Sequence, residues 1–290
     1  MPQVATLDTT MHFEDTGRPD GGGPTFVFLH GNPASSFLWR KVLPQVCATG
    51  RCLAPDLIGM GRSGKPAIAY GYDDHARHLD TWFDALDLHD VVLVGIDWGA
   101  SLGLDWARRH PSRVRGLCFM ETILKPMRWS DLPAPARPRF EAYRMPGLGE
   151  RLVMDENQFL EGALKATILT PLSDADRAAY AAPYPTPQSR RPLLAWPRAM
   201  PLDGSPADVV ARVAAYDTWL AASPEVPKLL LTFDGSPTLM VGPAEVAWCR
   251  THVAALDVQH CGAAGHLAPE DRPDEIAAAV TAWAQRQGWR

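Results

Sequence analysis

The sequence predicts an α/β fold: a mostly parallel, eight-stranded sheet flanked by helices, with a helical cap inserted between two parts of the core. Three observations carry this reading. Short apolar runs of strand type alternate with amphipathic helical stripes along most of the chain. Those runs are apolar on both faces, as in strands covered by crossover helices. The alternation then stops in one long stretch where many of the 27 prolines crowd together.

Before Thr25, alternating patches such as Met11-His12-Phe13-Glu14 and a Gly-rich turn at Gly21 to Gly23 fit an antiparallel hairpin. Thr25 to Leu29 is a buried-type strand ending in His30-Gly31-Asn32-Pro33. Ser35 or Ser36 then caps a helix carrying Phe37, Leu38, Val42, Leu43 and Val46. A second strand follows at Cys52 to Leu57. A helix from about Asp73 to Leu88 places Leu79, Trp82, Phe83 and Leu86 on one stripe. Val91 to Ile96 is another doubly buried strand, and Gly95-Ile96-Asp97-Trp98-Gly99 after it has the Gly-x-Asp-x-Gly form of a nucleophile elbow. Val114 to Met120 closes on Glu121.

From 123 to 205 the pattern breaks into short helical pieces rich in proline, including Pro183, Pro185, Pro187, Pro192, Pro197 and Pro201. The rhythm resumes with a helix marked by Val209, Val213, Tyr216 and Leu220 and a strand at Lys228 to Phe233. A helix from near Pro243, a strand at Leu256 to His260 and a last helix with Ile276, Val280 and Trp283 complete it. The expected organisation is therefore a core of residues 1–122 and 206–290 and a helical cap of residues 123–205. Right-handed crossovers onto such a sheet place ligands outside the carboxyl ends of the strands, where Asn32, Asp97 and Glu121 fall.

The bulk numbers narrow the class. A chain of 290 residues with 46% hydrophobic composition supports a sizeable core. A formal net charge of -5 with no basic run argues against nucleic acid and anionic lipid as partners. No uncharged apolar stretch approaches the roughly 18 residues of a membrane span, and no export leader is apparent. The five cysteines are odd in number and widely spaced, so neither a disulfide framework nor a metal site is expected; a reducing, cytoplasmic setting is.

Asp97 decides the chemistry. A serine attacking a saturated carbon would end as an ether, whereas a carboxylate gives an alkyl ester that water can cleave. Aspartate in an elbow thus points to substitution at sp3 carbon, with halide or an epoxide oxygen leaving. His266, in the Gly-containing loop after the last strand, is the expected base, with a pKa near the ordinary value of about 6.5. Two acids stand at strand ends to orient it: Glu121 is favoured, and Asp234 is the alternative. Asn32 and Trp98 supply backbone N–H groups for an oxyanion hole and neutral side-chain donors for a departing halide.

Two apparent signals carry less. Gly59-Met60-Gly61-Arg62-Ser63-Gly64 runs into Lys65-Pro66 where a dinucleotide site needs a helix. His75 and His78 lack a third ligand, and a solvated helix face is their expected place.

Taken together, His30-Gly31-Asn32-Pro33, Pro55-Asp56-Leu57-Ile58-Gly59-Met60-Gly61-Arg62-Ser63, Asp97-Trp98-Gly99, Met120-Glu121 and Gly265-His266 resemble the haloalkane dehalogenases of the α/β-hydrolase fold. The likeness is to the subfamily with an Asp-His-Glu triad and an Asn/Trp halide clamp. It extends into the cap at Asn157-Gln158-Phe159-Leu160-Glu161-Gly162-Ala163-Leu164. The resemblance implies Asp97 as nucleophile, His266 as base, Glu121 as acid, and Asn32 with Trp98 around the halide. It also implies a pocket lined by Phe140, Tyr143, Phe159, Leu164, Thr167, Leu239 and Met240. The implied partners are a small apolar halogenated substrate, water and a chloride or bromide ion, with no cofactor and no metal. Ile96, Leu267 and Asp234 depart from the pattern that the resemblance sets. An epoxide hydrolase, protonating the opened oxygen from Tyr143, Tyr180 or Tyr184, is the nearest rival. A luciferase-like monooxygenase and a non-catalytic receptor on the same framework are more distant ones.

Overall fold

In the computed structural model, which describes residues 2–289, the chain opens with a hairpin of β1 (Gln3–Thr6) and β2 (Thr9–Asp15). Its turn is at Leu7 and Asp8, not at Gly21 to Gly23: Leu7 takes the left-handed backbone, and the glycines belong to the loop entering β3 (Thr25–Leu29). The helix expected after β3 is two pieces. A 3-10 turn at Ser36–Trp39, with the Ser35 side chain accepting from Phe37 N, precedes the one-turn α1 (Leu43–Val46). Next come β4 (Arg51–Pro55), α2 (Tyr72–Ala85), β5 (Val91–Ile96), α3 (Asp97–Arg109) and β6 (Val114–Met120). Then come α4 (Arg137–Arg144), α5 (Gln158–Thr167), α6 (Asp174–Ala181) and α7 (Arg191–Ala199). The chain closes with α8 (Ala207–Ala222), β7 (Lys228–Asp234), α9 (Pro243–His252), β8 (Leu256–Ala263), α10 (Ala268–Asp271) and α11 (Pro273–Arg286).

The eight strands form one sheet in the order β1-β2-β4-β3-β5-β6-β7-β8. β2 runs antiparallel to β1 and β4, and every other pairing is parallel. β5 is central and buried along its whole length. Complete burial of each of its valines and leucines stabilises the fold by about 1.5–3 kcal/mol relative to exposure. The amphipathic stripe of α8 buries Val209, Val213, Tyr216 and Leu220. Ile96 is also fully buried, the last strand residue before the elbow and the register partner of Met120. A β-branched side chain there stiffens the extended backbone that must hold the turn.

Strand order reverses around β3, so the loops after β3, β5 and β6 open at the same edge, the usual place for a ligand in such a sheet. Among the described residues, no helix is long and apolar enough to cross a membrane. The five cysteines are all free thiols.

Candidate active site

The centre of the site is made by two strand ends that lock each other. Asp97 has φ 51° and Glu121 has φ 45°, a left-handed region that side-chain-bearing residues avoid. Such a residue costs on the order of 1–3 kcal/mol, and it persists only where its surroundings hold it. Here Asp97 N–H donates to Glu121 O at 3.1 Å, and Thr122 Oγ1 donates to Asp97 O at 2.7 Å. Gly99 completes the elbow: a Cβ there would lie 2.3 Å from His30 O and 2.4 Å from Leu29 O. Only glycine lets α3 pass this close to the end of β3.

Asn32, in the loop after β3, donates its backbone N–H to Asp97 Oδ2 at 2.8 Å. The other carboxylate oxygen, Oδ1, lies 3.7 Å from His266 Nε2. On the far side of the imidazole, Nδ1–H donates to Glu121 Oε2 at 3.1 Å. Glu121 also accepts from the backbone of Met240 at 2.8 Å and of Val241 at 3.2 Å, so its carboxylate is fixed from three directions. Asp234, the alternative acid, has a side chain 67% exposed and lies 3.5 Å from His260. Its own carboxylate belongs to the surface, while its backbone carbonyl holds Ala264 N–H.

The expectation of an ordinary pKa for His266 is corrected. Burial pulls the imidazole pKa down, but hydrogen bonds and charges from Asp97 and Glu121 outweigh it and raise the value to about 10. The resting imidazole between two carboxylates is therefore protonated at neutral pH. The loop carrying it is strapped to α5: Leu267 N–H donates to Thr167 O at 2.9 Å, and Gly265 passes so close that a Cβ would lie 2.1 Å from that oxygen. Asp271 ties the same region, accepting from Gly265, Leu169 and Thr170 backbone N–H groups.

Trp98, the first residue after Asp97 in α3, borders the same space. Its ring stacks on Trp196 of α7 with centroids 4.6 Å apart, and Trp196 stacks on His75 of α2 at 4.2 Å. Tyr72 meets both tryptophans edge-on. The solvated face expected for His75 and His78 is thus overturned, since both are buried. The reason is that α2 has two covered sides: His75 lies under α7, and His78 Nδ1 pairs with Thr6 Oγ1 of β1 at 3.1 Å. Burial holds the pKa of His75 well below its ordinary value, and neither ring nitrogen has a hydrogen-bond partner. Among the described residues, no group of three or more His, Cys, Asp or Glu side chains is placed to hold a metal ion.

Asp97, Trp98, Asn32 and His266 border a cavity of about 200 Å³. Phe140, Tyr143, Phe159, Thr167 and Met240 line it, as the resemblance implied. Leu164 and Leu239 do not. On α5 the lining positions Phe159, Ala163, Ala166 and Thr167 recur at spacings of three and four residues, which turns Leu164, one position past Ala163, about 100° away and into the core. Leu239 sits between Thr238 and Met240, which take the cavity positions, and packs against the core instead. Arg139, Pro197 and Met200 also line the cavity; the stripe spacing of α4 was the signal for Arg139. Of the three tyrosines considered as acid donors, Tyr180 donates to Glu270 at 2.6 Å, and Tyr184 is buried outside the lining. Tyr143 alone of the three borders the cavity.

An elbow carboxylate, an imidazole and a second buried carboxylate, set at the open edge of this sheet, define an α/β hydrolase. Consistent with that, residues 24–240 match the family described as alpha/beta hydrolase fold. The chain belongs more narrowly to the haloalkane dehalogenases. It is 45% identical to a haloalkane dehalogenase of Mesorhizobium japonicum, over 97% of this chain and 90% of that one. It is 44% identical to one of Sphingobium indicum, over 92% and 90% of the two chains. Among solved structures, an ancestral haloalkane dehalogenase superposes with a TM-score of 0.94 at 42% identity, covering 99% of both chains. A haloalkane dehalogenase from Agrobacterium tumefaciens C58 gives 0.92 at 41% identity, covering 98% of this chain and 96% of that one.

Proposed function

We propose that this protein hydrolyses the carbon–halogen bond of haloalkanes to an alcohol, a halide ion and a proton. The observation that carries the reading is the Asp97 carboxylate, one oxygen held by Asn32 N–H and the other facing a cavity bordered by Trp98. Asp97 Oδ1 attacks the saturated carbon opposite the halogen, and the C–X electron pair leaves with the halide. Trp98 Nε1–H and one N–H of the Asn32 amide receive it; the other N–H of that amide donates to Leu193 O at 3.2 Å. Neutral donors suit this task, since a lysine would pair with Asp97 instead.

Esterification removes the negative charge of Asp97, one of the two charges that hold His266 protonated. The imidazole pKa falls, a proton is released, and neutral His266 takes a proton from water as its oxygen attacks the ester carbonyl. Asn32 N–H stabilises the oxyanion on Oδ2, and Glu121 stabilises the imidazolium as it forms. Collapse expels the alcohol, which takes a proton from His266; the hydroxyl proton left on the Asp97 carboxyl then passes to His266, restoring the carboxylate and the resting imidazolium. No cofactor enters any step.

We assign residues 1–122 and 206–290 to the core and 123–205 to a cap that closes the cavity. The unbridged cysteines suit the cytoplasm. Bromide release from 1-bromobutane, measured beside diol formation from an epoxide of similar size, tests the reading. Bromide release without diol is expected. An enzyme that forms only diol would place the chain's activity with the epoxide hydrolases instead.

A further inference from the structure

The cap faces the cavity with two helical stripes. On α4 the lining residues are Arg139, Phe140 and Tyr143, spaced as one helix face that Ala136 at its N-cap extends, and α5 opposes them with Phe159, Ala163, Ala166 and Thr167. Such a stripe, over an apolar cavity, calls for apolar side chains at each position. Arg139 breaks it. Apart from Asp97 and His266, it is the only charged residue lining the cavity among the described residues.

Its position along the stripe fixes where its charge acts. Tyr143, one turn further along α4, is buried, as is Asp97, whereas Arg139 is exposed. The guanidinium therefore marks the solvent end of the cavity. It reaches across to α5, where its single hydrogen bond is a long one, Nη1 to Gly162 O at 3.4 Å. Among the described residues it forms no ion pair with a carboxylate. Beyond that contact with Gly162, the donors of the guanidinium have no partner among the described residues. Its field also enters the cavity, where it acts against the burial that raises the Tyr143 pKa.

We propose that Arg139 is a specificity residue that selects haloalkanes bearing a carboxylate at the end remote from the halogen, through a two-pronged guanidinium–carboxylate contact at the cavity mouth. The inference rests on the dehalogenase reading and refines its substrate class to ω-halocarboxylates. The reaction is unchanged: the ω-carbon exchanges its halide for the hydroxyl of water, and the products are an ω-hydroxycarboxylate, a halide and a proton. Charge also fixes the orientation. A carboxylate entering first would meet Asp97, whereas at the mouth it meets Arg139, with the apolar chain lying along the α4 and α5 stripes.

The test compares kcat/KM for 6-bromohexanoate with that for 6-bromohexan-1-ol, by bromide release, in the wild type and in Arg139→Leu, Arg139→Lys and Arg139→Glu. The carboxylate-to-alcohol ratio is the readout, so a general loss of activity in a variant cancels. Arg139→Leu is expected to lower the ratio about fivefold, the scale of a solvated ion pair. Arg139→Lys restores part of it, and Arg139→Glu lowers it further. Added sodium sulfate reduces the wild-type ratio toward that of Arg139→Leu. A ratio that is the same in wild type, Arg139→Leu and Arg139→Glu overturns the proposal. Bromide release from 1-bromohexane by the wild type tests the underlying reading separately: its absence would overturn the dehalogenase assignment and not merely the preference.

Discussion

Glu121→Gln is the substitution in which the proposed division of labour is most exposed. Glu121 Oε2 lies 3.1 Å from His266 Nδ1, so in the hydrolytic step a negative charge faces an imidazolium across that distance. With an effective dielectric of about 20, the attraction is roughly 332/(20 × 3.1), or about 5 kcal/mol. At about 1.4 kcal/mol per decade this corresponds to about 10⁴-fold in rate. The amide also presents N–H donors either at Oε2, where Met240 N–H and His266 Nδ1–H now donate, or at Oε1, where Val241 N–H does, so at least one of those contacts is lost as well. The loss falls on ester hydrolysis, where His266 gains a proton, and far less on the attack by Asp97. Rapid-quench mixing with 1-bromobutane should therefore give a bromide burst equal to the enzyme present, followed by turnover slowed about 10⁴-fold. Mass spectrometry of the quenched protein should find the butyl ester on Asp97. Asp234→Asn serves as the comparison and should leave both phases unchanged. Burst-free kinetics in Glu121→Gln, or turnover within tenfold of the wild type, would refute the reasoning.

Replacing His266 with phenylalanine should trap the same ester outright, with a mass increase equal to the alkyl group and no second turnover. Trp98→Phe keeps an aromatic surface on Trp196 but removes the indole N–H; a loss of about 10²-fold in kcat is expected, the scale of one missing oxyanion-type donor. Stability should also depend on pH through His266. Its folded-state pKa is raised to about 10 from an ordinary value of 6.5, so its stabilising contribution is complete below about 6.5 and disappears as pH rises through about 10. The melting temperature should fall over that interval, and the fall should be smaller in His266→Gln. His75 works in the opposite sense: its pKa is depressed, so acidification below about 6.5 destabilises the fold, and His75→Phe should weaken that acid sensitivity.

Much of the site was legible because its parts are short and local. The elbow Gly95 to Gly99, the turn after β3 and the Gly265-His266 loop each carry their meaning within a few residues, and a parallel sheet brings their strand ends together. The boundaries of β3 and β6 follow directly from runs of apolar residues. What escaped depends on partners distant in the chain. The burial of His75 comes from Trp196, far along in α7, so the polar face of α2 reads as solvated until that helix is placed over it. The charge on His266 depends on Asp97 and Glu121 meeting it in space. The misplacement of Leu164 was a matter of helical phase, since one residue's difference on α5 separates cavity from core. The opening turn went to Leu7 and Asp8 against the glycine signal, because pairing of β1 with β2 leaves only two residues between them.

Thr167 occupies two roles at once. Its side chain is part of the cavity wall, and its backbone carbonyl receives the N–H of the residue after His266. The proposed cap and the proposed base, His266, therefore share a mechanical joint, and any recombination of this core with a foreign cap has its crossover point dictated there. A graft that keeps the end of α5 with the host preserves the seating of the imidazole. One that cuts before it exchanges the substrate wall and the registry of the base in a single operation.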